Sequence, residues 1–248
     1  MGKGRSVLQP DGIENSRVYV GLLHYPVYDK SGRLVCTAVT NLDIHDLARC
    51  AMTFGVEMAY IINPLESQRE LVKRIMQHWT HGAGARYNPI RGKALRRIQV
   101  ERTLEEVIQE ISEANHQAVR TIATDAAWHE KAISYNHMRH LLHGRSDPYL
   151  VVFGTGWGMA REILEGSDYV LPPIEGRCGY NHLSVRSAIA IILDRLMGTD
   201  REEETENGFH GTDRKGANPN RHTRLQGRRH GSGSCEDRRR RERENSGL

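Results

Sequence analysis

The sequence predicts an α/β fold, a mostly parallel sheet with helices on both faces, and three observations predict it. Strand-like and helix-like segments alternate about five times along the chain, the pattern of a parallel sheet whose crossovers are helical. The run Tyr149 to Phe153 is short, apolar and rich in β-branched residues, as a buried strand must be. Three stretches after strand ends, Thr124-Asp125-Ala126, Gly154 to Gly158 and Leu171 to Asn181, sit where open sheets of this class bind ligands.

The first strand starts at Arg17 and runs to Leu23. Asp29-Lys30-Ser31-Gly32 is turn chemistry, and Leu34 to Val39 returns as an extended segment. Thr40-Asn41 stands where a helix cap belongs, ahead of an amphipathic helix from Asp43 to Phe54 that Gly55 ends. Met58 to Ile62 is the second main strand, and Asn63-Pro64 marks its end. The next helix, Ser67 to His81, carries Arg69, Lys73 and Arg74 on its exposed face. His81 to Lys93 has three glycines and three cations and reads as a loop with a positive surface. Arg96 to Val100 is strand, Thr103 caps a helix over Leu104 to Asn115, and Val119 to Thr124 is strand again. Trp128 to Gly144 reads as a short helix or an ordered connector. After the Tyr149 to Phe153 strand come a two-turn helix from Met159 to Glu165 and a strand over Tyr169-Val170-Leu171. In the last helix, Asn181 to Met197, the positions Leu183, Ala188, Ile191, Ile192 and Leu196 recur at helical spacing.

The chain is 38% hydrophobic and 27% charged, with a net charge of +4, enough for one sizeable core plus some unpacked sequence. It shows no apolar run of about 18 residues and no signal-peptide segment, so it is expected to be soluble and cytoplasmic, with no membrane partner. Cys36, Cys50, Cys178 and Cys235 form no C-x-x-C pair. His24, His45, His78, His81 and His129 show neither H-x-x-x-H nor H-E-x-x-H spacing, so no metal is expected. Residues 1–16 are glycine-rich and polar and are expected to be disordered, leaving a domain at 17–198. Residues 199–248 are also expected to be disordered: from Asn207 onward eleven Arg or Lys face five Asp or Glu, with almost no aliphatic residues. A basic tail adds phosphate attraction, and a neutral appendage is the other reading.

The string from Tyr149 to Met197 organises the chain. Gly154, Gly156 and Gly158 remove three side chains in five residues, and the loop Pro172 to Tyr180 carries two prolines and two glycines. Loops of this kind leaving neighbouring strand ends make a pocket built from main chain, suited to a nucleoside-like cofactor. A dinucleotide fingerprint is the rival reading of GTGWG, but its spacing is G-x-G-x-G rather than G-x-G-x-x-G, and only one strand follows. A nucleotide-dependent oxidoreductase rests on these glycines alone.

A strand ending in V-F-G, a glycine turn, a strand running into L-P-P-I-x-G, and N-H-L-S-V-R-S-A opening the last helix together resemble motifs of the SPOUT superfamily, the knotted SAM-dependent RNA methyltransferases. The segment resembles a bacterial group with a tRNA (guanine-N(1)) methyltransferase-like domain, over residues 17 to 198. The resemblance implies a deep C-terminal trefoil knot, one of the few exceptions to the rule against threaded chains. It also implies S-adenosyl-L-methionine (SAM) as cofactor, tRNA or rRNA as partner, and a homodimer in which the partner subunit completes the pocket. Carried onto this sequence, the cofactor would lie against Thr124, Gly154, Thr155, Gly156, Gly158, Leu171, Pro173, Ile174, Gly176, Asn181, Leu183 and Ser184. Asn181, His182 and Ser184 would steer the methionine end or the acceptor, with Asn181 as a plain helix cap the alternative. Arg49, in N-L-D-I-H-D-L-A-R-C, resembles the Arg of the first motif, which holds or activates the acceptor. A surface Arg pairing with Asp46 or Glu57 is the other reading. Gly156 stands where the ribose-methylating branch has a Glu, and the RNA-binding domain of the guanine-methylating branch finds no counterpart here. The acceptor atom thus stays open, and a non-catalytic SAM-binding or RNA-binding regulatory protein is the alternative function.

Overall fold

The computed structural model describes residues 16–199 apart from 145 and 179, so the expectations for residues 1–15 and for the basic tail fall outside the described residues. Six strands form one parallel sheet: β1 (Arg17–Leu23), β4 (Ala59–Ile62), β5 (Ile98–Glu101), β6 (Arg120–Thr124), β7 (Pro148–Gly154) and β8 (Tyr169–Leu171). Their order is β5-β4-β1-β7-β6-β8. The chain therefore builds outward from β1 in one direction, then crosses over to build the other half. Two short strands, β2 (Val27–Tyr28) and β3 (Leu34–Val35), make a separate antiparallel hairpin after β1.

Alternation along each strand divides the core into two layers, because successive side chains point to opposite faces. Val18, Val20 and Leu22 of β1 join Ile61, Ile122, Val151 and Phe153 on one face. That face is covered by α1 (Asn41–Phe54), α2 (Glu66–Thr80), α4 (Pro89–Leu95), α6 (Tyr135–Gly144) and α8 (Val185–Met197). Tyr19, Leu23, Ile62, Leu150 and Val152 form the other face, under α5 (Leu104–Asn115) and α7 (Arg161–Gly166). The helices are local products of the sequence: Thr40 with Asp43 and Thr103 with Glu106 each form a reciprocal capping box.

Two elements differ from the sequence expectation. His81 to Lys93 is not a loop but holds two short helices, α3 (Ala83–Tyr87) and most of α4, which Asn88 caps with Pro89 in its first turn. Its glycines serve contact rather than turning. A Cβ on Gly84 would come within 2.7 Å of the Trp79 ring, and one on Gly92 within 2.6 Å of the Trp79 carbonyl oxygen. The last helix starts at Val185 rather than Asn181, because Ser184 takes the capping position and accepts from the Ser187 amide at 3.3 Å. The segment ahead of it is thereby left as extended chain running from β8 to α8.

Candidate functional site

The C-terminal ends of β6 and β7 and the β8–α8 segment enclose a cavity of about 680 Å³. It is lined by the stretches Thr124 to Ala127 and Gly154 to Gly158, whose three glycines bring bare backbone to it, and by the apolar residues Ile174, Val185, Ala188 and Ile192. It lies beside the point where the strand order reverses, the position such sheets offer to ligands.

The glycine turn is fixed from below. Thr155 donates both its amide and its hydroxyl to the Leu23 carbonyl, each at 3.1 Å. The Trp157 amide donates to the Tyr28 carbonyl and the Tyr28 amide to the Gly158 carbonyl, both at 2.9 Å, so the β2–β3 hairpin clamps the turn. Gly156 has φ of +61°, and a Cβ there would meet the Tyr28 carbonyl at 2.8 Å. The bare backbone at Gly156 thus admits the hairpin, whereas Gly158, φ +104°, opens toward Asp125. Thr155 Oγ1 also lies 2.5 Å from Thr37 Oγ1, and Thr37 Oγ1 lies 2.9 Å from Nδ1 of His24. His24 is buried at the end of β1. Burial drives its pKa down to about 4, against which the nearby Asp43 carboxylate acts only partly, so the ring is neutral near pH 7.

The other walls are held as firmly. Asp125 accepts from the amides of Ala126, at 2.6 Å, and Ala127, at 3.3 Å, and its second oxygen lies 2.7 Å from Nε2 of His129. Its carboxylate is therefore oriented before any ligand arrives. Asn181 donates its side-chain amide to the Ala126 carbonyl at 2.6 Å, pinning the β8–α8 segment against the β6 loop. That contact, rather than a helix cap, occupies Asn181. Trp157, which lines the cavity, and Tyr180 are each about two-thirds exposed, with the His182 ring 6.5 Å from Trp157 and 5.4 Å from Tyr180.

Of the residues selected from the sequence, Thr124, Gly154, Thr155, Gly156, Gly158, Ile174, Asn181, His182, Leu183 and Ser184 line this cavity. Leu171, Pro173 and Gly176 are not among its lining residues, and Leu171 is buried in the core beneath the sheet. Asp125 and Trp157 line it without having been singled out, although both lie in the strand-end stretches that mark the pocket in the sequence.

Arg49 lies elsewhere. It is exposed on α1 and lines a second cavity of about 490 Å³ between α1 and α8, with Asp46, Cys50, Arg186 and Ser187. Ser184 lines both cavities. The carboxylates that would have made Arg49 an ordinary surface partner are taken: Asp46 pairs with Arg186 at 3.2 Å, and Glu57 faces Arg97 at 3.8 Å. Arg49 makes no ion pair among the described residues.

A parallel α/β sheet with a cavity beside a strand-order switch places a ligand site at these strand ends, and the comparisons narrow the class. The sequence profile of a family described as SAM-dependent RNA methyltransferase matches residues 17–198. The chain belongs to that family, in agreement with the resemblance to the SPOUT enzymes. An uncharacterized protein from Aquifex aeolicus is 37% identical over 187 residues, covering 75% of this chain and 91% of that one. A tRNA (guanine-N(1)-)-methyltransferase from Oleidesulfovibrio alaskensis is 44% identical over 181 residues, 73% of this chain but 42% of that enzyme. The chain thus spans about two-fifths of the length of this named relative. In fold, a putative methylase family protein from Neisseria gonorrhoeae superposes with a TM-score of 0.52 at 15% identity, covering 83% of this chain and 93% of that one.

Proposed function

We propose that residues 17–198 form a methyltransferase domain that moves the methyl group of SAM onto a nucleotide of tRNA or rRNA. The observation that carries the reading is the cavity at the ends of β6 and β7 and along the β8–α8 segment, with Arg49, which makes no ion pair among the described residues, in the cavity next to it. Its volume lies in the range of small-molecule sites, and the combination of apolar floor and backbone rim suits an adenine edge and a ribose. Asp125, held open by two amides, is placed to accept from ribose hydroxyls, and the apolar floor to take the adenine face.

When bound, SAM would supply an electrophilic methyl on a sulfonium, with S-adenosylhomocysteine as the leaving group and the acceptor's proton passing to water. The chain's own part is placement, which in-line displacement rewards most. Trp157, Tyr180 and His182 offer ring faces on which an unstacked base rests at the mouth. Arg49 is the group that holds a phosphate or stabilises the acceptor as its proton leaves. Arg49 opens into a different cavity from the cofactor within one chain, which supports a homodimer in which the partner subunit's α1 completes the pocket. The trefoil knot, with the β8–α8 segment threaded past the β6 loop, belongs to the same reading. So does cytoplasmic residence; among the described residues no helix is long and apolar enough to cross a membrane.

The same separation of Arg49 from the cofactor cavity favours a second reading, a regulatory protein that binds SAM and RNA without turnover. Arg49→Ala separates the two. An enzyme loses methyl incorporation into RNA by roughly 100-fold or more while its SAM affinity, measured by calorimetry, stays within about twofold. Intact protein that binds SAM and labels no cellular RNA establishes the regulatory reading instead.

A further inference from the structure

Between Leu71 and Val100 the chain carries seven Lys or Arg and no Asp or Glu. These thirty residues fold into most of α2, all of α3 and α4, and the first part of β5, a lobe at the far edge of the sheet from the cofactor cavity. The lobe is rigid. Trp79 is its centre, packed edge-on to His45 of α1 at 5.4 Å and to His78 at 5.2 Å, with the Arg91 guanidinium 4.6 Å from its ring centroid and both Gly84 and Gly92 in close approach. Two of the cations are matched by carboxylates outside the run, Arg74 by Glu70 at 3.7 Å and Arg97 by Glu57 at 3.8 Å. Arg86, Lys93 and Arg96 are exposed and make no ion pair among the described residues. Close by in the chain Tyr87 is 87% and Ile90 82% exposed, and Ile90 and Lys93 stand three residues apart on α4, with Arg96 as its C-cap.

We infer that this face of α3 and α4 is an RNA-docking surface, in which Arg86, Lys93 and Arg96 neutralise backbone phosphates and Tyr87 stacks on an unpaired base. The inference rests on the proposed RNA-modifying role and assigns it a place of contact. A run of cations without a carboxylate is a phosphate footprint, and an exposed aromatic among them is what single-stranded RNA uses for stacking. The surface is also continuous with the chemistry. α4 packs on α1, and the pKa of His45 there is lowered chiefly by burial, then by Arg91 of the lobe, with Asp46 opposing and Arg49 adding to it one helical turn further on, so Arg91 and Arg49 act on the same ring.

Binding of the full chain to bulk bacterial tRNA, titrated at several salt concentrations, tests this. Neutralising three phosphate contacts with Arg86→Gln, Lys93→Gln and Arg96→Gln should reduce the slope of log Kd against log salt by about two to three and weaken binding roughly 10-fold near 100 mM salt. A control of equal charge change, Arg102→Gln, Arg120→Gln and Arg161→Gln, should leave the slope within about one unit, and so should replacement of Arg238 to Arg241 by Ser. Equal losses in the lobe variant and the control, or a loss confined to the Arg238 to Arg241 variant, overturn the assignment. A changed oligomeric state in Tyr87→Ser with an unaltered RNA slope overturns it too, and gives the face to a protein contact. The slope needs no turnover, so protein that binds RNA through the lobe but transfers no methyl contradicts the proposed activity and leaves this surface standing.

Discussion

The two cavities that meet at Ser184 are built from different materials. The larger is walled by backbone from the ends of β6 and β7 and floored by apolar side chains of α8, and its turn is fixed by hydrogen bonds to the hairpin and to β1. The smaller is walled by side chains of two helices, where Arg186 bridges Asp43 and Asp46 and Arg49 is left over. The larger cavity presents a single oriented carboxylate, Asp125, among glycine turn and apolar side chains, which suits a cofactor recognised by its outline and its hydroxyls. Charged side chains hold a shape only through one another and leave a spare guanidinium free for an anionic or proton-losing partner. On the proposed function, cofactor binding falls to the first cavity and acceptor handling to the second.

The comparison can be broken from the side of the backbone cavity by pH. His24 underlies the glycine turn through Thr37 and Thr155, and its folded pKa of about 4 lies below an unfolded value near 6.5. Below pH 6.5 the unfolded chain therefore binds the proton that the folded chain refuses. The stabilisation is complete above that pH and is lost progressively as pH falls toward 4. At its full extent it amounts to about 3 kcal/mol. Urea unfolding of the wild type and His24→Gln across this window should show the wild type losing stability more steeply on acidification; parallel curves would remove His24 from the support of the turn. A smaller effect sharpens the other side. Arg186→Ala leaves Asp43, buried at the start of α1, without its cation, and should cost about 1 kcal/mol in thermal unfolding while SAM affinity stays unchanged. A loss of SAM binding equal to the loss of stability would show that the two cavities are not separable.

Local chemistry made much of this structure readable in the sequence. β1 at Arg17–Leu23 and α5 at Leu104–Asn115 fall where expected, because an apolar run and the Thr103 box define them within a few residues. The helices α3 and α4 were not readable, since Gly84 and Gly92 signal a loop until Trp79 is seen packed against both. The start of α8 was ambiguous for a related reason: Asn181 and Ser184 are both capping residues, and what removes Asn181 from that role is the Ala126 carbonyl, 55 positions away. At the site, the glycine turn and Thr124 could be placed from strand ends alone. Leu171 could not, because its inward direction depends on how β8 pairs with β6. Nor could the position of Arg49, which follows from α1 packing on α8.

Filling each cavity in turn tests most directly whether the backbone cavity is the one that holds SAM. Ala188 lies on the floor of the larger cavity and Thr53 lines the smaller. Calorimetric titration with SAM should show Ala188→Trp weakened by roughly 10-fold or more, with Thr53→Trp close to the wild type. Unimpaired binding in Ala188→Trp, or loss in Thr53→Trp alone, would contradict the assignment.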